Sequence, residues 1–281
     1  MISIRQLIPR RLSPSIAFNL GMLLLFAFGL YFHRSALFKQ IKPYFQRPIV
    51  PGSYAAKPDS TLFVGKEESI NTTNAKSSIR ILVLGNSVSL HEAVAGLWTH
   101  ESGMAASEKN KDYVHLLMKK IASEKKVGVT FEVINIAEFE RTFNSFNLNR
   151  FSALRARNPQ YVIFQIGENI PCDEFPLISD QFKQHYMELV NYFGSATKII
   201  CLPFRPDMNK VYAITDVGIQ TGAFIVDLSH LGNGLDEKNL AKKENTYNIP
   251  GVAVHPGDFG MENIAKNLFC VFNATLTNTM N

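Results

Sequence analysis

Three polar side chains stand where an α/β chain does its chemistry. Ser87 closes the run Ile81-Leu82-Val83-Leu84-Gly85-Asn86-Ser87. Four apolar residues in a row read as a buried strand, and Gly85-Asn86-Ser87 turns that strand sharply. A serine there lies at the C-terminal edge of a sheet, where such folds bind ligands. The same place also suits a serine that merely caps the next helix. Asn169 ends a second stretch of this kind, Gln165-Ile166-Gly167-Glu168-Asn169, and its side-chain NH2 is suited to an oxyanion. His255 lies in Gly251-Val252-Ala253-Val254-His255-Pro256-Gly257-Asp258, before a Pro-Gly turn and a final helix whose N-cap is expected at Asp258. A histidine in that loop can swing beside a serine on the first strand and take its proton. Nucleophile, base and amide donor together make a set of roles.

The elements that must position them alternate. Strands are expected at 80–84, 130–136, 161–166, 198–202 and 223–227, and helices at 111–125, 143–157, 179–193, 207–219 and 258–272. Five strands separated by helices imply a parallel sheet covered on both faces, with right-handed crossovers. The expected fold is a three-layer α/β/α, flavodoxin-like sandwich with a five-stranded parallel sheet, occupying 79–281.

The chain has 281 residues and a net charge of +5. That charge is not spread evenly. Residues 1–58 hold Arg5, Arg10, Arg11, Arg34, Lys39, Lys42, Arg47 and Lys57 and no acidic residue, so the remainder has more acidic than basic side chains. Nothing in the body of the protein favours a phosphate backbone, and no nucleic acid is expected as partner. Residues 16–32, IAFNLGMLLLFAFGLYF, are apolar apart from Asn19 and carry arginines on both sides. They read as an uncleaved transmembrane anchor, short for a span, with Tyr31 and the basic residues at the interface. Residues 1–34 are then a cytoplasmic end and anchor, and 35–78, broken by four prolines, a tether with no fixed structure. The expectation is a single-pass protein with its domain outside the cytoplasm, although basic residues flank the span on both sides.

At these residues the chain resembles the SGNH hydrolases, the GDSL-like esterases and lipases. Gly85-Asn86-Ser87 matches the family's Gly-Asp-Ser block with Asn for Asp. Gly167-Glu168-Asn169 matches its Gly-x-Asn-Asp block, with Ile170 in place of the Asp, and His255-Pro256 matches the last block. A GNS-containing variant of the family is similar in Gly103-Met104-Ala105-Ala106-Ser107 and Lys111-Asp112-Tyr113-Val114-His115 as well. The resemblance implies an ester hydrolase with Ser87 as nucleophile and His255 as base. It implies an oxyanion hole made of the Ser87 N–H, a backbone N–H at the family's second-block glycine, here Glu140, and the Asn169 amide. The substrate would be an acylated small molecule or glycan, O-acetyl esters included. Two departures stand out. Glu140 lacks glycine's conformational freedom, and Val252 occupies the place of the family's triad Asp. A backbone carbonyl, Asp258, Glu168 or Glu244 is left to orient His255. An O-acyltransferase using the same dyad, and a degenerate domain that binds glycan or protein, remain open beside the hydrolase.

Among other polar residues, Asn86, His91, Gly167, Glu168, Asp227, His230 and Asp258 are candidates for substrate contact or for support of the site. His115 reads as an ordinary helical residue packed near the sheet, and His185 as solvated. Cys172, Cys201 and Cys270 form no metal or disulfide pattern, and the last two sit in apolar runs as small hydrophobes. No metal, nucleotide or other cofactor is expected.

Overall fold

The structure is a computed structural model that describes residues 62–72, 75, 77–94, 100–171, 175–233, 237–243 and 249–277. The predicted anchor, most of the tether, Cys172 and Glu244 lie outside them. Five parallel strands form the centre of the sheet: β3 (Ser78–Gly85), β4 (Gly128–Asn135), β5 (Tyr161–Gln165), β6 (Thr197–Cys201) and β7 (Phe224–Val226). Their spatial order is β4-β3-β5-β6-β7, the 2-1-3-4-5 order of flavodoxin-like sheets. Two short strands, β1 (Phe63–Val64) and β2 (Glu68–Ile70), add antiparallel to the outer edge of β4. The sheet is therefore mixed, and residues expected to be unstructured tether extend it. These strands are too short for a period-2 pattern to show in the sequence.

The period of two along β3 sets the layers. Ile81 and Val83 face one apolar cluster, and Leu82 and Leu84 face the other. The first face is covered by α1 (Tyr113–Lys125) and the long C-terminal α7 (Asp258–Thr277), which pack on each other. The second is covered by α4 (Phe175–Tyr192) and α5 (Met208–Thr221). The helix expected over 143–157 is reduced to a turn, a 3-10 segment (Leu148–Phe151) and the short α3 (Ser152–Ala156), and another short helix, α2 (Ala137–Thr142), lies just before that range. Asn147 breaks the run. Its backbone is extended, and its side chain accepts from the Asn149 N–H, the local bond by which Asn competes with helix. Between α5 and α7 lie two 3-10 turns, Glu237–Asn239 and Ala241–Lys243, and one short α-helix, α6 (Pro250–Ala253). Cys201 is buried as expected, but Cys270 is exposed on α7. Among the described residues no helix is long and apolar enough to cross a membrane.

Candidate active site

At the C-terminal end of β3 the chain makes a tight helical turn that Asn86 begins. The Asn86 side-chain oxygen accepts from the Val88 N–H at 3.0 Å. Its carbonyl accepts from Ser89 and Leu90 at 2.9 and 3.0 Å. Ser87 is thus the first residue of the turn, where an N–H has no carbonyl behind it. Among the described residues that N–H meets no acceptor. Gly85 makes the turn sterically possible, because a Cβ there would lie 2.0 Å from Ser89 Oγ and 3.3 Å from the Gln165 carbonyl.

His255 follows α6 and comes back to this turn. Its Nε2 is 2.9 Å from Ser87 Oγ, and its Nδ1 is 2.8 Å from the Gly251 carbonyl oxygen. A carbonyl only accepts, so Nδ1 carries the hydrogen and Nε2 is left to accept the Ser87 O–H. Gly251 thereby fixes the tautomer that a general base needs. It does so without a negative charge, and imidazolium gains less from a carbonyl than from a carboxylate. Burial pushes the His255 pKa down to about 4, Arg205 and His91 push the same way, and the Gly251 and Val252 hydrogen bonds oppose them. The ring is neutral, and able to act as a base, from mildly acidic pH upward.

The third sequence block forms the loop after β5. Gly167 has φ +130°, and a Cβ there would lie 2.5 Å from Pro203 Cγ, so both backbone and space call for glycine. Asn169 follows, with its orientation set on both sides. Its Oδ1 accepts from Arg141 Nη2 at 3.3 Å, and its Nδ2 donates to Glu140 Oε2 at 2.7 Å. The amide keeps a second hydrogen on Nδ2.

Glu140 departs from its expected role. It is the fourth residue of α2, where a backbone N–H is directed back at the carbonyl four residues earlier rather than outward at a ligand. What reaches the site is its side chain. Oε1 accepts from the Gly167 and Asn169 N–H groups at 2.5 and 3.1 Å and from Asn86 Nδ2 at 3.4 Å, besides the Oε2 bond to Asn169. Glu140 is fully buried. Burial raises its pKa to about 7, the nearby Glu168 adds to the rise, and the Asn169 and Gly167 donors oppose it. Asn86 Nδ2 also donates to Glu168 Oε2 at 2.6 Å, so one amide bridges two carboxylates. Glu168 Oε1 accepts from Gln165 Nε2 at 3.0 Å and from the Phe204 N–H at 2.8 Å. Ser89 Oγ donates to Gln165 Oε1 at 3.1 Å and lies 2.7 Å from Tyr113 OH. A polar seam thus ties together the turns after β3, β5 and β6.

No family model matches this sequence, and no curated protein does. Among solved structures the chain is similar to a psychrotrophic esterase from Pseudoalteromonas sp., with 17% identity over 70% of this chain and 98% of the other and a TM-score of 0.47. It is similar to an acetylxylan esterase from Geobacillus stearothermophilus, with 14% identity over 68% and 92% and a TM-score of 0.45. It is also similar to a two-domain esterase active on acetylated mannans, with 16% identity over 72% and 50% and a TM-score of 0.49. Likeness at this level is one of fold. Ser87 and His255 are in contact where two of the sequence blocks resemble those of the SGNH hydrolases.

The remaining candidates divide. His91 is half-buried, and its Nδ1 pairs with the Glu92 carbonyl at 2.9 Å. It lies close enough to His255 to act on its charge. Asp258 is engaged elsewhere. Its two oxygens accept the Ser107 N–H and Oγ–H at 2.8 and 2.6 Å, and Lys111 Nζ is 3.2 Å away. Burial raises its pKa, but these donors outweigh that and hold it below the usual range. Asp258 therefore ties the Ser107 loop to α7. Glu168 is likewise engaged in the polar seam, leaving the Gly251 carbonyl as the partner of Nδ1. Asp227 is exposed and closes its own turn, accepting from the Ser229 N–H at 2.8 Å. His230 is exposed on that turn. Neither is brought to Ser87 by a contact in the described residues. His115 is buried in α1, with Nδ1 2.7 Å from Asp112 Oδ1 and its ring edge-on to Phe131. His185 is half-buried, with Nδ1 3.1 Å from Glu188.

Sequence reasoning missed Lys210. It is 2% exposed, and its Nζ donates to the Gly167 carbonyl at 3.2 Å and to the Ile170 carbonyl. A signal existed. Lys210 shares a helical face with Ala213, Ile214 and Val217, all buried, at the spacing i, i+3, i+4, i+7 of a core-facing stripe.

Proposed function

We propose that the domain is a serine esterase of SGNH type that cleaves an acyl ester through a Ser87–His255 dyad. The observation that carries this is the 2.9 Å contact of Ser87 Oγ with His255 Nε2, with Nδ1 held by Gly251. In this reading Ser87 Oγ attacks the ester carbonyl while its proton passes to Nε2. The oxyanion is met by the Ser87 N–H and the second hydrogen of Asn169 Nδ2. Each such donor contributes about 2.7–4 kcal/mol to the transition state. The proton on Nε2 then leaves with the alcohol, and water, deprotonated by the same nitrogen, cleaves the acyl-enzyme. The acyl group we favour is O-acetyl on a glycan. The mannan- and xylan-acting esterases named above support that choice by analogy of fold only. The anchor pattern at 16–32 supports a membrane-tethered enzyme with its domain outside the cytoplasm.

The test is turnover of an aryl acetate by the full chain, with fluorophosphonate labelling and peptide mapping. Label on Ser87, and at least 1000-fold loss of kcat in both Ser87→Ala and His255→Ala with unchanged circular dichroism, is the expected result. Wild-type turnover in folded Ser87→Ala would reject the assignment. An inert wild type that takes no label would point to the binding domain instead.

A further inference from the structure

Two buried charged side chains meet the Asn169 loop from different elements, and the dyad uses neither. Glu140, from α2, is fully buried and takes N–H groups of Gly167 and Asn169. Lys210, from α5, is buried against the same loop and takes the carbonyls of Gly167 and Ile170. Neither makes an ion pair with another side chain among the described residues. The peptide dipoles of the loop stand between them, and Gly167 gives its N–H to the carboxylate and its carbonyl to the ammonium. Burying a charge without a direct counter-charge is costly, and a stable core does not require it here. What the arrangement does accomplish is geometric. The four-residue turn Gly167–Ile170 is held at both donors and acceptors, and Glu140 Oε2 further claims one hydrogen of Asn169 Nδ2.

We propose that Glu140 and Lys210 are positioning residues that clamp the Gly167–Ile170 loop so that Asn169 keeps its free N–H on the oxyanion. The proposal rests on the esterase reading. It assigns to Glu140 a role for the ionised side chain, in place of the backbone N–H of a glycine. Other groups facing Glu140 are Glu168 from the clamped loop, Tyr186 from α4, and Lys210 beyond that loop. Glu168 and burial favour the protonated acid, and the loop donors favour the carboxylate. Protonation would remove acceptor capacity from Oε1 or Oε2 and loosen the clamp.

The experiment is a set of cycles on the full chain with an aryl acetate: Glu140→Gln, Lys210→Met and Lys210→Arg, each alone and with Asn169→Ala. A misplaced oxyanion donor costs about 10–100-fold. Glu140→Gln and Lys210→Met should each lower kcat by that factor with KM within twofold, and Lys210→Arg should recover part of the loss. In the Asn169→Ala background both should have little further effect, because they act through Asn169. The kcat of wild type should rise with pH through about 7, where Glu140 ionises, well above the His255 step near 4. That limb should vanish in Glu140→Gln. Full additivity with Asn169→Ala, or an unchanged limb in Glu140→Gln, overturns the proposal. Should wild type be inert, the esterase reading fails, and the clamp is then read by NMR. The Gly167 amide proton should titrate through about 7 in wild type and stay flat in Glu140→Gln, and a flat wild-type shift overturns the clamp as well.

Discussion

Asn86 donates through one nitrogen to Glu168 and, more weakly, to Glu140, and neither carboxylate would accept a like charge in its place. This gives a physical reason for an amide where the resembling family has aspartate. Once residue 140 is a glutamate turned inward, residue 86 must be a donor. Asn86→Asp would restore the family's Gly-Asp-Ser pattern and set a third carboxylate beside two others. A buried hydrogen bond to a charged group is worth about 1.5–3 kcal/mol, so the variant should lose at least that much stability at pH 8. The like charges raise the carboxyl pKa values in the folded state, so the native protein holds protons that the unfolded chain releases. The deficit should therefore shrink toward pH 5. Urea unfolding at the two pH values measures it, and equal losses at both would contradict this account of Asn86.

Loops, not strands, carry the site, and each is set by a local steric demand. Gly167 is the sharpest case, with φ +130° and Pro203 packed where a side chain would go. A non-glycine residue in such backbone costs about 1–3 kcal/mol. Gly167→Ala should lose that stability and, by moving Asn169, about 10–100-fold in kcat, with KM little changed. Thermal unfolding together with steady-state kinetics checks both, and a variant with normal kcat would show that the loop does not position Asn169. The N-terminal half of the expected 143–157 helix yields to the same kind of local control. Asn147 satisfies a backbone N–H with its own side chain, and the chain turns where apolar spacing alone allowed a helix to continue.

The whole molecule joins residues 168 positions apart in Ser87 and His255. The sheet order places β3 in the interior of the sheet, between β4 and β5, and α7 returns the C-terminal segment across the face that β3 helps to build. With the apolar run at 16–32, the proposal for the complete chain is an esterase held at a membrane. Full chain mixed with phospholipid vesicles should float with them in a density gradient, and a form lacking residues 1–34 should remain at the bottom. Full chain that stays at the bottom would remove the anchor from the proposal.

Much of this was legible in the sequence because it depends on local pattern. The apolar runs at 80–84, 130–136, 161–166 and 198–202 give the parallel strands, since strands buried on both faces need no polar alternation. Ser87, Asn169 and His255 stood out as candidates because each follows a glycine turn or precedes a proline turn at the end of an element. The sequence could not decide what holds the histidine. Val252 ruled out the expected carboxylate, and a backbone carbonyl leaves no mark in residue identity, so only the fold of α6 could place Gly251 on Nδ1. Nor could it turn Glu140 from a backbone donor into a buried acceptor, or bring Lys210 beneath the same loop. Those depend on which side of a helix faces which loop, and that is settled only when the layers pack.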